Sequence, residues 1–322
     1  MCDIVHIITH GDCDGICAGA IALYSNKGAR VVFSNPVKLS TTLNSISKDE
    51  DLIICDIAIN KSTFNEIIQT LNSFSSHIIY IDHHPLPQNI ESKFNRNLTL
   101  IKSEDQCASE LTYVFFAKTL SVDMSRVAVY GAIGDYLDNT VVIGSLLENW
   151  DKRTLYFQTG VLVQALEDIV RNDDIKIRIL QELSNNVPPS GIDSLLEHAI
   201  IAFRREEEMR NLIMKNVTIV GNIGYVLQPD GPLGKAAVYA RAYAKAVVGV
   251  AGEIRQGLVE MSLRTTSNVD LDYILNKIVP TFGGLGGGHA KAAGAQVPFD
   301  KFYDFVRALN SEVSRATLVP RS

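Results

Sequence analysis

The chain has 322 residues, of which 46% are hydrophobic and 20% are charged, and its formal net charge is −6. This composition is that of an ordinary globular protein, and the length exceeds one typical hydrophobic core, so we expect two domains. No apolar run approaches the roughly 20 residues of a membrane span, which argues against a membrane protein, and the N-terminus lacks a signal-peptide pattern.

The first half of the sequence alternates short apolar runs with helix-like segments. The runs "IVHIIT", "RVVFS", "DLIICD", "HIIYID" and "LTLI" are typical of strands that are buried on both faces. Between them, "GICAGAIALYSNK", "TTLNSISKD" and "STFNEIIQTLNSF" predict helices, and "CASELTYVFFAKTL" and "SRVAVYGAIGDYL" predict two more. This repeated βα order favours an α/β fold with a doubly wound parallel sheet.

The second half predicts a helical middle and a smaller α/β domain. After "NNVPPSG" interrupts the helical pattern, "IDSLLEHAIIAFRREEEMRNLIMKN" predicts a long amphipathic connecting helix. Strands are predicted at "VTIVG", "GYVLQ", "AVVGVAG" and "LVEMSLR", and a helix at "DLDYILNKIV". "GGLGGGHAKAAGAQV" then predicts a glycine-rich turn that leads into a helix and a strand. We therefore predict a first domain over residues 1–187, a helical linker over 188–216 and a second domain over 217–315.

Cysteine usage and the end of the chain carry two smaller expectations. The five cysteines are Cys2, Cys13, Cys17, Cys55 and Cys107. They form no pair of CxxC motifs and lie mostly in apolar contexts, so we expect reduced, buried thiols in a cytoplasmic protein. Residues 316–322, which include "LVPRS", resemble the remnant of a protease site and are left out of the fold prediction.

The charge is distributed unevenly along the chain. Residues 1–200 hold 15 Lys and Arg against 25 Asp and Glu, a net −10; residues 201–315 hold 14 against 11, a net +3, and Arg321 completes the total of −6. An acidic first half fits a cation site, and a mildly basic second half fits a domain that holds a polyanion, although the excess is small. The negative total argues against strong nonspecific binding to duplex nucleic acid.

The stretch "HGDCDG" crowds charge onto the end of the first predicted strand. In an extended segment, side chains two residues apart share a face, so His10, Asp12 and Asp14 are expected to project together. Two carboxylates this close repel each other and lose solvation when buried, so they need a neutralising partner.

Two other predicted strands end in residues of the same kinds. Asp56 ends "DLIICD", and "HIIYID" runs into Asp82, His83 and His84. The carboxyl ends of parallel strands line the ligand crevice of an open α/β sheet. Asp135 follows a helix whose small residues allow a close approach to that sheet. Taken one at a time, these features have simpler interpretations: Asp56 as a helix N-cap, "DCDG" as a turn and the histidine pair as a surface feature. Their joint occurrence at three strand ends predicts a metal site.

The donor types indicate which metal would bind. Carboxylates and imidazoles, with no thiolate on the same face, suit Mn²⁺ or Mg²⁺ better than structural Zn²⁺. So many ligands exceed the needs of one ion, which favours two divalent ions roughly 3.5–4 Å apart with a bridging carboxylate. Such a pair activates a water molecule and neutralises charge on a phosphoryl group. Mn²⁺ is the preferred ion, with Mg²⁺ and Co²⁺ as alternatives.

These motifs resemble those of the DHH phosphoesterase superfamily. The triplet Asp82-His83-His84 matches the motif that names the family, and "HGDCDG", "CDI" and "GAIGD" match its other motifs in the right order. The rear half resembles the associated DHHA1 domain, because "SLRTTSNVDLDYILNKI" and "GGLGGGHAKAAGAQV" contain its arginine and its GGGH element. The resemblance covers nearly the whole chain apart from the helical middle.

The resemblance implies a role for each residue of the acidic crevice. Its two sets of metal ligands share one aspartate: His10, Asp12 and Asp56 for one ion, and Asp14, Asp56, His83 and Asp135 for the other. Asp82 is implied to orient a histidine, and His84 to donate a hydrogen bond to the scissile phosphate. All of these roles come from the family pattern.

In the second domain, the resemblance implies that substrate phosphate is bound by Arg264 and His289 with the loop of Gly286, Gly287 and Gly288. Glycines let backbone N–H groups approach an anion closely, and arginine binds phosphate with two parallel hydrogen bonds. The adjacent "AKAA" predicts a helix start that would also bind an anion. The simpler alternatives are a flexible loop and, for Arg264, a surface salt bridge.

Within the superfamily, "HGDCDGICAGAI" is most similar to the first motif of archaeal RecJ-like exonucleases. Family II pyrophosphatases lack this GGGH-type rear domain, and bacterial RecJ adds an OB-type domain for which this chain has no room. The resemblance therefore implies hydrolysis of terminal phosphodiester bonds in single-stranded DNA or RNA, with release of mononucleotides.

Two other functions stay open. One is a phosphodiesterase for very short substrates, such as an oligoribonuclease (nanoRNase), a 3′-phosphoadenosine phosphate (pAp) phosphatase or a cyclic-dinucleotide phosphodiesterase. The other is a scaffold or accessory protein of a GINS-associated replication complex, in which catalytic ligands would be lost, whereas here the set is complete. An oligomer is compatible with each of these functions.

Overall fold

The computed structural model describes residues 4–60, 63–86, 90–170 and 172–318. The chain forms two compact units that divide between Ala202 and Phe203, and each unit has its own core. Cys2 and residues 319–322 of the predicted protease-site remnant lie outside the described residues.

The first unit begins with alternating strands and helices and continues as a helical region. Its strands are β1 (Val5–Thr9), β2 (Arg30–Phe33), β3 (Asp51–Cys55), β4 (Ile78–Asp82) and β5 (Leu98–Lys102). Its helices are α1 (Cys13–Ser25), α2 (Leu39–Asn44), α3 (Phe64–Asn72), α4 (Ala108–Phe116), α5 (Met124–Gly134), α6 (Val141–Glu148), α7 (Lys152–Ile169) and α8 (Asp173–Ser184). A longer helix, α9 (Leu195–Asn216), begins in this unit and ends in the second. The predicted α/β class is confirmed.

The order of the strands places a crevice at one end of the first sheet. The strands lie in the order β2-β1-β3-β4-β5, and each neighbouring pair is parallel. The chain moves from β1 to β2 at one edge, then crosses back to place β3 on the other side of β1. Such a reversal opens a crevice at the carboxyl ends of the two central strands, where open α/β sheets bind ligands.

Helices cover both faces of this sheet. Ile7 and Ile8 are consecutive residues of β1, and both are fully buried. Because consecutive strand residues point to opposite faces, burial of both requires cover on each side. Ile8 packs with residues of α2 and α3, whereas Ile7 packs with residues of α1 and α4. This two-sided burial explains the continuous apolar runs in the sequence.

The second unit is built on a mixed sheet. Its strands are β6 (Thr218–Val220), β7 (Ile223–Leu227), β8 (Val248–Arg255), β9 (Leu258–Thr265), β10 (Leu285–Gly288) and β11 (Ala292–Pro298). They lie in the order β10-β11-β9-β8-β7-β6, with β7 and β8 parallel and the other neighbours antiparallel. Its helices are α10 (Leu233–Ala244), α11 (Leu271–Ile278) and α12 (Phe302–Leu318). Of these, α10 and α12 are additional to the predicted elements.

The two additional helices complete the second unit. Residues of α11 and α12, including Phe302 and Phe305, form its main core with the sheet. Small residues of α10, such as Ala236 and Ala240, pack with Met209 of α9 in a separate cluster. Within the described ranges, every helix is too short or too polar to cross a bilayer.

Close helix packing in the first unit depends on Gly131 of α5. A β-carbon at this position would clash with Oγ of Ser109 and would lie 2.8 Å from Oδ1 of Asp14. We expect Gly131→Ala to destabilise the first unit by about 1–3 kcal/mol, because an extra methyl group forces packed helices apart. Thermal or urea unfolding measures the change.

Gly160 of α7 offers a matched control. A β-carbon there would meet no described heavy atom within 4 Å. We therefore expect Gly160→Ala to raise stability by about 0.5–1 kcal/mol, since alanine favours the helix over glycine. If Gly131→Ala proved as stable as Gly160→Ala, the close approach of α5 would be wrong.

Candidate functional site

Three neighbouring strands of the first sheet bring the predicted site residues together. β1, β3 and β4 are adjacent, and their carboxyl ends lead into His10, Asp56 and the Asp82-His83-His84 triplet. Six His and Asp side chains near these strand ends, with Asp135 after α5, form three groups in which the donor atoms lie within 4.8 Å of one another. The groups are His10, Asp12 and Asp56; Asp14, His83 and Asp135; and Asp56, His83 and His84.

The turn after β1 differs from the extended segment predicted for residues 10–14. Strand pairing ends at Thr9, and α1 begins at Cys13. Asp12 is the N-cap of this helix, and its Oδ1 accepts a hydrogen bond from the Gly15 amide at 3.0 Å. Asp14 therefore lies in the first helical turn. The extended backbone predicted for residues 10–14 is wrong, because helix capping determines the conformation here. The side chains of His10, Asp12 and Asp14 still reach the same cluster, as predicted.

The first group gathers around His10. Nδ1 of His10 lies 2.8 Å from Oδ2 of Asp12 and 3.8 Å from Oδ2 of Asp56. Asp56 is only 3% exposed and has a φ of +57°, in the left-handed region that few residues other than glycine adopt. The next helix starts only at Phe64, so Asp56 is not an N-cap. In this conformation its carboxylate lies between His10 and His83.

The second group is anchored by the start of α4. The two carboxylate oxygens of Asp14 accept hydrogen bonds from the amides of Ala108 at 2.7 Å and Ser109 at 2.9 Å. The positive end of the helix thus holds this buried carboxylate. Nε2 of His83 lies 3.6 Å from Oδ2 of Asp135, which is the C-cap of α5.

Asp56 belongs to both sides of the site. Its Oδ1 lies 3.4 Å from Nε2 of His83, while its Oδ2 faces His10. The resemblance implies that Asp56 is shared by two ligand sets, and its two oxygens are divided between the two groups in this way. The ligand assignment itself stays a prediction.

Asp82 and His84 form a pair beside these groups. Oδ1 of the fully buried Asp82 lies 2.8 Å from Nδ1 of His84, and its Oδ2 has no hydrogen-bond partner among the described residues. The histidine that Asp82 is implied to orient is therefore His84. Nδ1 of His84 also lies 4.0 Å from Oδ1 of Asp56, so the pair adjoins the shared aspartate.

Burial and mutual repulsion shift the pKa values of the carboxyl groups in the cluster. Burial raises the pKa of Asp56 well above its usual range, and the charges of Asp12, Asp14 and Asp82 raise it further. Burial, together with Asp14 and Asp12, raises the pKa of Asp135 to about 7. Burial alone would raise the pKa of Asp12, but its hydrogen bond with His10 and other contacts lower it to about 2.

This chemistry fits a divalent metal. The donors are carboxylate oxygens and imidazole nitrogens, which suit Mn²⁺ and Mg²⁺. Burial lowers the pKa of His83, which favours the neutral imidazole that binds a metal. A cation would remove the repulsion that raises the pKa of Asp56.

Two buried side chains near the cluster were not predicted from the sequence. Lys176 of α8 donates a hydrogen bond from Nζ to the Gly11 carbonyl at 2.7 Å. Glu110 of α4 is fully buried, and both its carboxylate oxygens accept from Oγ1 of Thr140 at 2.9 and 3.0 Å. Neither residue lies in a motif, and each reaches the site only through the packing of helices.

In the second unit, the glycine-rich segment forms a β-hairpin. Gly286, Gly287 and Gly288 lie in β10 and pair with β11, so the predicted glycine turn and the helix at "AKAA" are both wrong. Gly287 and Gly288 have φ values of 154° and 145°, which other residues rarely adopt. The hairpin closes with hydrogen bonds between His289 and Ala292 at 2.9 and 3.3 Å. Strand pairing thus outweighs the helix propensity of alanine.

Arg264 and His289 lie at the same end of the second sheet. Arg264 of β9 pairs with Ala292, the residue that closes the hairpin with His289. Asp272 accepts a hydrogen bond from the amide of Gly288 at 2.8 Å, so this N–H group is already engaged. Exposed His289 at the hairpin tip stays a candidate for binding phosphate, as does Arg264.

Solved structures with the same fold share low sequence identity with the chain. A manganese-bound exonuclease RecJ matches with a TM-score of 0.63 and 15% identity, over 97% of this chain and 90% of that one. The pGpG-specific phosphodiesterase PggH from Vibrio cholerae matches with a TM-score of 0.62 and 13% identity, over 97% of this chain and 99% of that one. RecJ from Thermus thermophilus in complex with Mn²⁺ matches with a TM-score of 0.68 and 14% identity, over 97% of this chain but only 52% of that one. No curated protein matches the sequence.

The raised pKa of Asp135 predicts how metal-free stability depends on pH. A carboxyl group with a pKa above its unfolded value stabilises the fold at low pH, and this contribution is lost as pH rises through the folded pKa. With a folded pKa of about 7, we expect the metal-free protein to melt at progressively lower temperature between about pH 4 and pH 7 through this group. Thermal unfolding in a chelator measures the trend.

Asp135→Asn provides the control for this pH dependence. The neutral amide cannot ionise, so the slope of melting temperature against pH should flatten between about pH 4 and pH 7, and the metal-free variant should be the more stable one at pH 8. Saturating Mn²⁺ should raise the wild-type melting temperature more at pH 8 than at pH 6, because protons compete for the ligands. Identical slopes for both proteins would show that Asp135 does not titrate there.

Two regions of the sequence match known domain families. Residues 4–134 match the N-terminal domain of the DHH family, and residues 230–315 match the DHHA1 domain. The first match ends directly before Asp135, and the second contains Arg264 and His289. With the cluster of His and Asp side chains at three strand ends, these matches place the chain in the DHH/DHHA1 superfamily of phosphoesterases, hydrolases that act on phosphoester bonds with a divalent metal site.

Proposed function

We propose that the protein is a two-metal phosphodiesterase that removes mononucleotides from the ends of single-stranded DNA or RNA, as RecJ-like exonucleases do. The observation that carries this proposal is the position of Asp56, whose two carboxylate oxygens face different ligand groups. One ion would be held by His10, Asp12 and Asp56. The other would be held by Asp14, His83 and Asp135 with the same bridging aspartate.

Bound divalent ions, preferably Mn²⁺, would supply Lewis acidity to activate a water molecule and neutralise phosphoryl charge. The chain's own contribution is to hold the ligands before substrate arrives. The amides at the start of α4 orient Asp14, and the hydrogen bond from Thr140 to Glu110 ties α4 to the loop that follows Asp135. This fixed geometry reduces the reorganisation needed during the reaction.

His84 is suited to donate a hydrogen bond to the scissile phosphate. Burial alone would lower its pKa, but the hydrogen bond and charge of Asp82 raise the pKa above the usual value. The imidazole therefore keeps its second proton more readily near neutral pH. Because Nδ1 faces Asp82, the remaining Nε2–H is the donor for a phosphoryl oxygen.

The second unit would hold the terminal phosphate of the strand. Arg264 and exposed His289 would supply the hydrogen-bond donors for this phosphate. Docking of the protein on a GINS-type replication complex also stays a proposal from the family resemblance. The complete His and Asp set favours an active enzyme over a scaffold.

A second candidate is a phosphodiesterase for dinucleotides or very short oligonucleotides. The chain covers 99% of the Vibrio cholerae pGpG-specific phosphodiesterase but only 52% of the Thermus thermophilus RecJ. The near-complete coverage of that dinucleotide-specific enzyme supports this candidate. The nanoRNase and pAp phosphatase activities belong to the same candidate.

Asp56→Asn tests the shared ligand. Loss of one negative charge between the two groups should lower Mn²⁺-dependent cleavage by several orders of magnitude while the fold persists, since both ions depend on this carboxylate. Cleavage of an end-labelled strand with saturating Mn²⁺ gives the rate, and circular dichroism reports the fold. Asp51→Asn at the opposite end of β3 is the control and should retain wild-type activity. Near-normal turnover of Asp56→Asn would refute the two-metal assignment.

Substrate length separates the two candidates. We expect a 5′- or 3′-labelled single-stranded 20-mer to give a ladder of mononucleotide release, with kcat/KM at least comparable to that for a dinucleotide such as pGpG. Parallel DNA and RNA strands with Mn²⁺ reveal the polarity and sugar preference. Rapid dinucleotide cleavage with an intact 20-mer would instead establish the short-substrate enzyme.

A further inference from the structure

One charged side chain of the helical middle reaches the turn that carries His10 and Asp12. Lys176 lies on α8, outside both regions that match known families, and is only 9% exposed. Its Nζ donates to the carbonyl oxygen of Gly11 at 2.7 Å. Burying an ammonium group costs free energy unless it is paired, and the Gly11 carbonyl is the partner here.

Two glycines of the first unit make room for α8. A β-carbon at Gly11 would lie 3.0 Å from Nζ of Lys176, and a β-carbon at Gly19 would lie 2.7 Å from Cδ1 of Leu180. Lys176 and Leu180 are one helical turn apart and share a face of α8. Leu180 thus packs α8 against α1, and this packing places Lys176 beside the turn after β1.

The carbonyl that Lys176 binds stands between two predicted ligands. Gly11 joins His10 to Asp12, and this turn follows the last paired residue of β1, Thr9. A hydrogen bond from a charged donor is stronger than a neutral one, and burial strengthens it further. Fixing this peptide restricts the directions of both neighbouring side chains. Asp173, on the same helix, and Asp12 both interact electrostatically with Lys176.

We propose that Lys176 is a positioning residue that fixes the His10-Gly11-Asp12 turn for binding of one of the two metal ions. The inference rests on the proposed function, because it takes His10 and Asp12 as ligands. Lys176 acts through the peptide of Gly11 and does not touch the reacting atoms. Its effect should therefore be confined to the ion held by His10, Asp12 and Asp56.

Titration of Mn²⁺ into the metal-stripped full-length protein tests this role. In Lys176→Met, which keeps an unbranched side chain of nearly the same length but lacks the ammonium group, we expect one of two binding steps to weaken about 10–100-fold, the range for partners that orient metal ligands. The other step should stay within about twofold of wild type. Lys176→Arg should restore part of the lost affinity, because it keeps a charged donor.

Two further variants complete the test. Lys118→Met, at an exposed lysine after α4, is the control and should bind Mn²⁺ as wild type does. Gly11→Ala adds a β-carbon against Nζ of Lys176 and should weaken the same binding step. This variant tests the proposal if Lys176→Met does not fold. Melting temperatures of the metal-free variants report their folding.

The outcomes are distinct. One weakened step with a near-normal metal-free melting temperature supports the positioning role. Wild-type affinities at both steps in Lys176→Met, or in Gly11→Ala when Lys176→Met is unfolded, would overturn it. Equal weakening of both steps with a lower melting temperature would overturn it as well, since it would mark a purely structural lysine. A wild-type protein that binds no Mn²⁺ would contradict the proposed function itself.

Discussion

Repulsion between buried carboxylates is the constraint around which the first unit is organised. Asp14, Asp56 and Asp82 are all nearly or fully buried, and together they gather at one end of one sheet. Each of them has a different local partner. The amides of α4 bind Asp14, the imidazoles of the cluster surround Asp56, and His84 pairs with Asp82. These contacts hold the geometry but leave negative charge in excess, which is the condition under which a divalent cation binds strongly.

The topology explains why this concentration occurs at one place. The chain reverses direction between β1 and β3, so the loops after these strands diverge and leave room between them. β4 lies beside β3 and adds the triplet, and α5 approaches closely enough at Gly131 to add Asp135. The site is therefore assembled from segments far apart in sequence, and its geometry depends on the whole sheet with its packed helices.

Much of this arrangement follows from local patterns in the sequence. Continuous apolar runs identify β1, β3 and β4, and the residues directly after them are the site residues, because parallel strands share one carboxyl end. The conformation of the turn at Asp12 does not follow, since a capping hydrogen bond to Gly15 competes with extension. The hairpin at His289 does not follow either, because the pairing of its strands with each other and with β9 is a nonlocal interaction. Lys176 carries no local signal at all, as only the docking of α8 shows its place.

The three consecutive residues Asp82, His83 and His84 at the end of β4 have different functions. Residues two apart near a strand end lie on the same side, which allows Asp82 to contact His84, whereas the intervening His83 is directed to Asp56 and Asp135. One histidine thus keeps its proton through a buried aspartate, while burial favours the neutral form of the other. A hydrogen-bond donor and a metal ligand, which need opposite protonation states, therefore arise from adjacent imidazoles whose rings are 4.5 Å apart. The different neighbours of the two rings, Asp82 for His84 and Asp56 with Asp135 for His83, separate the two roles.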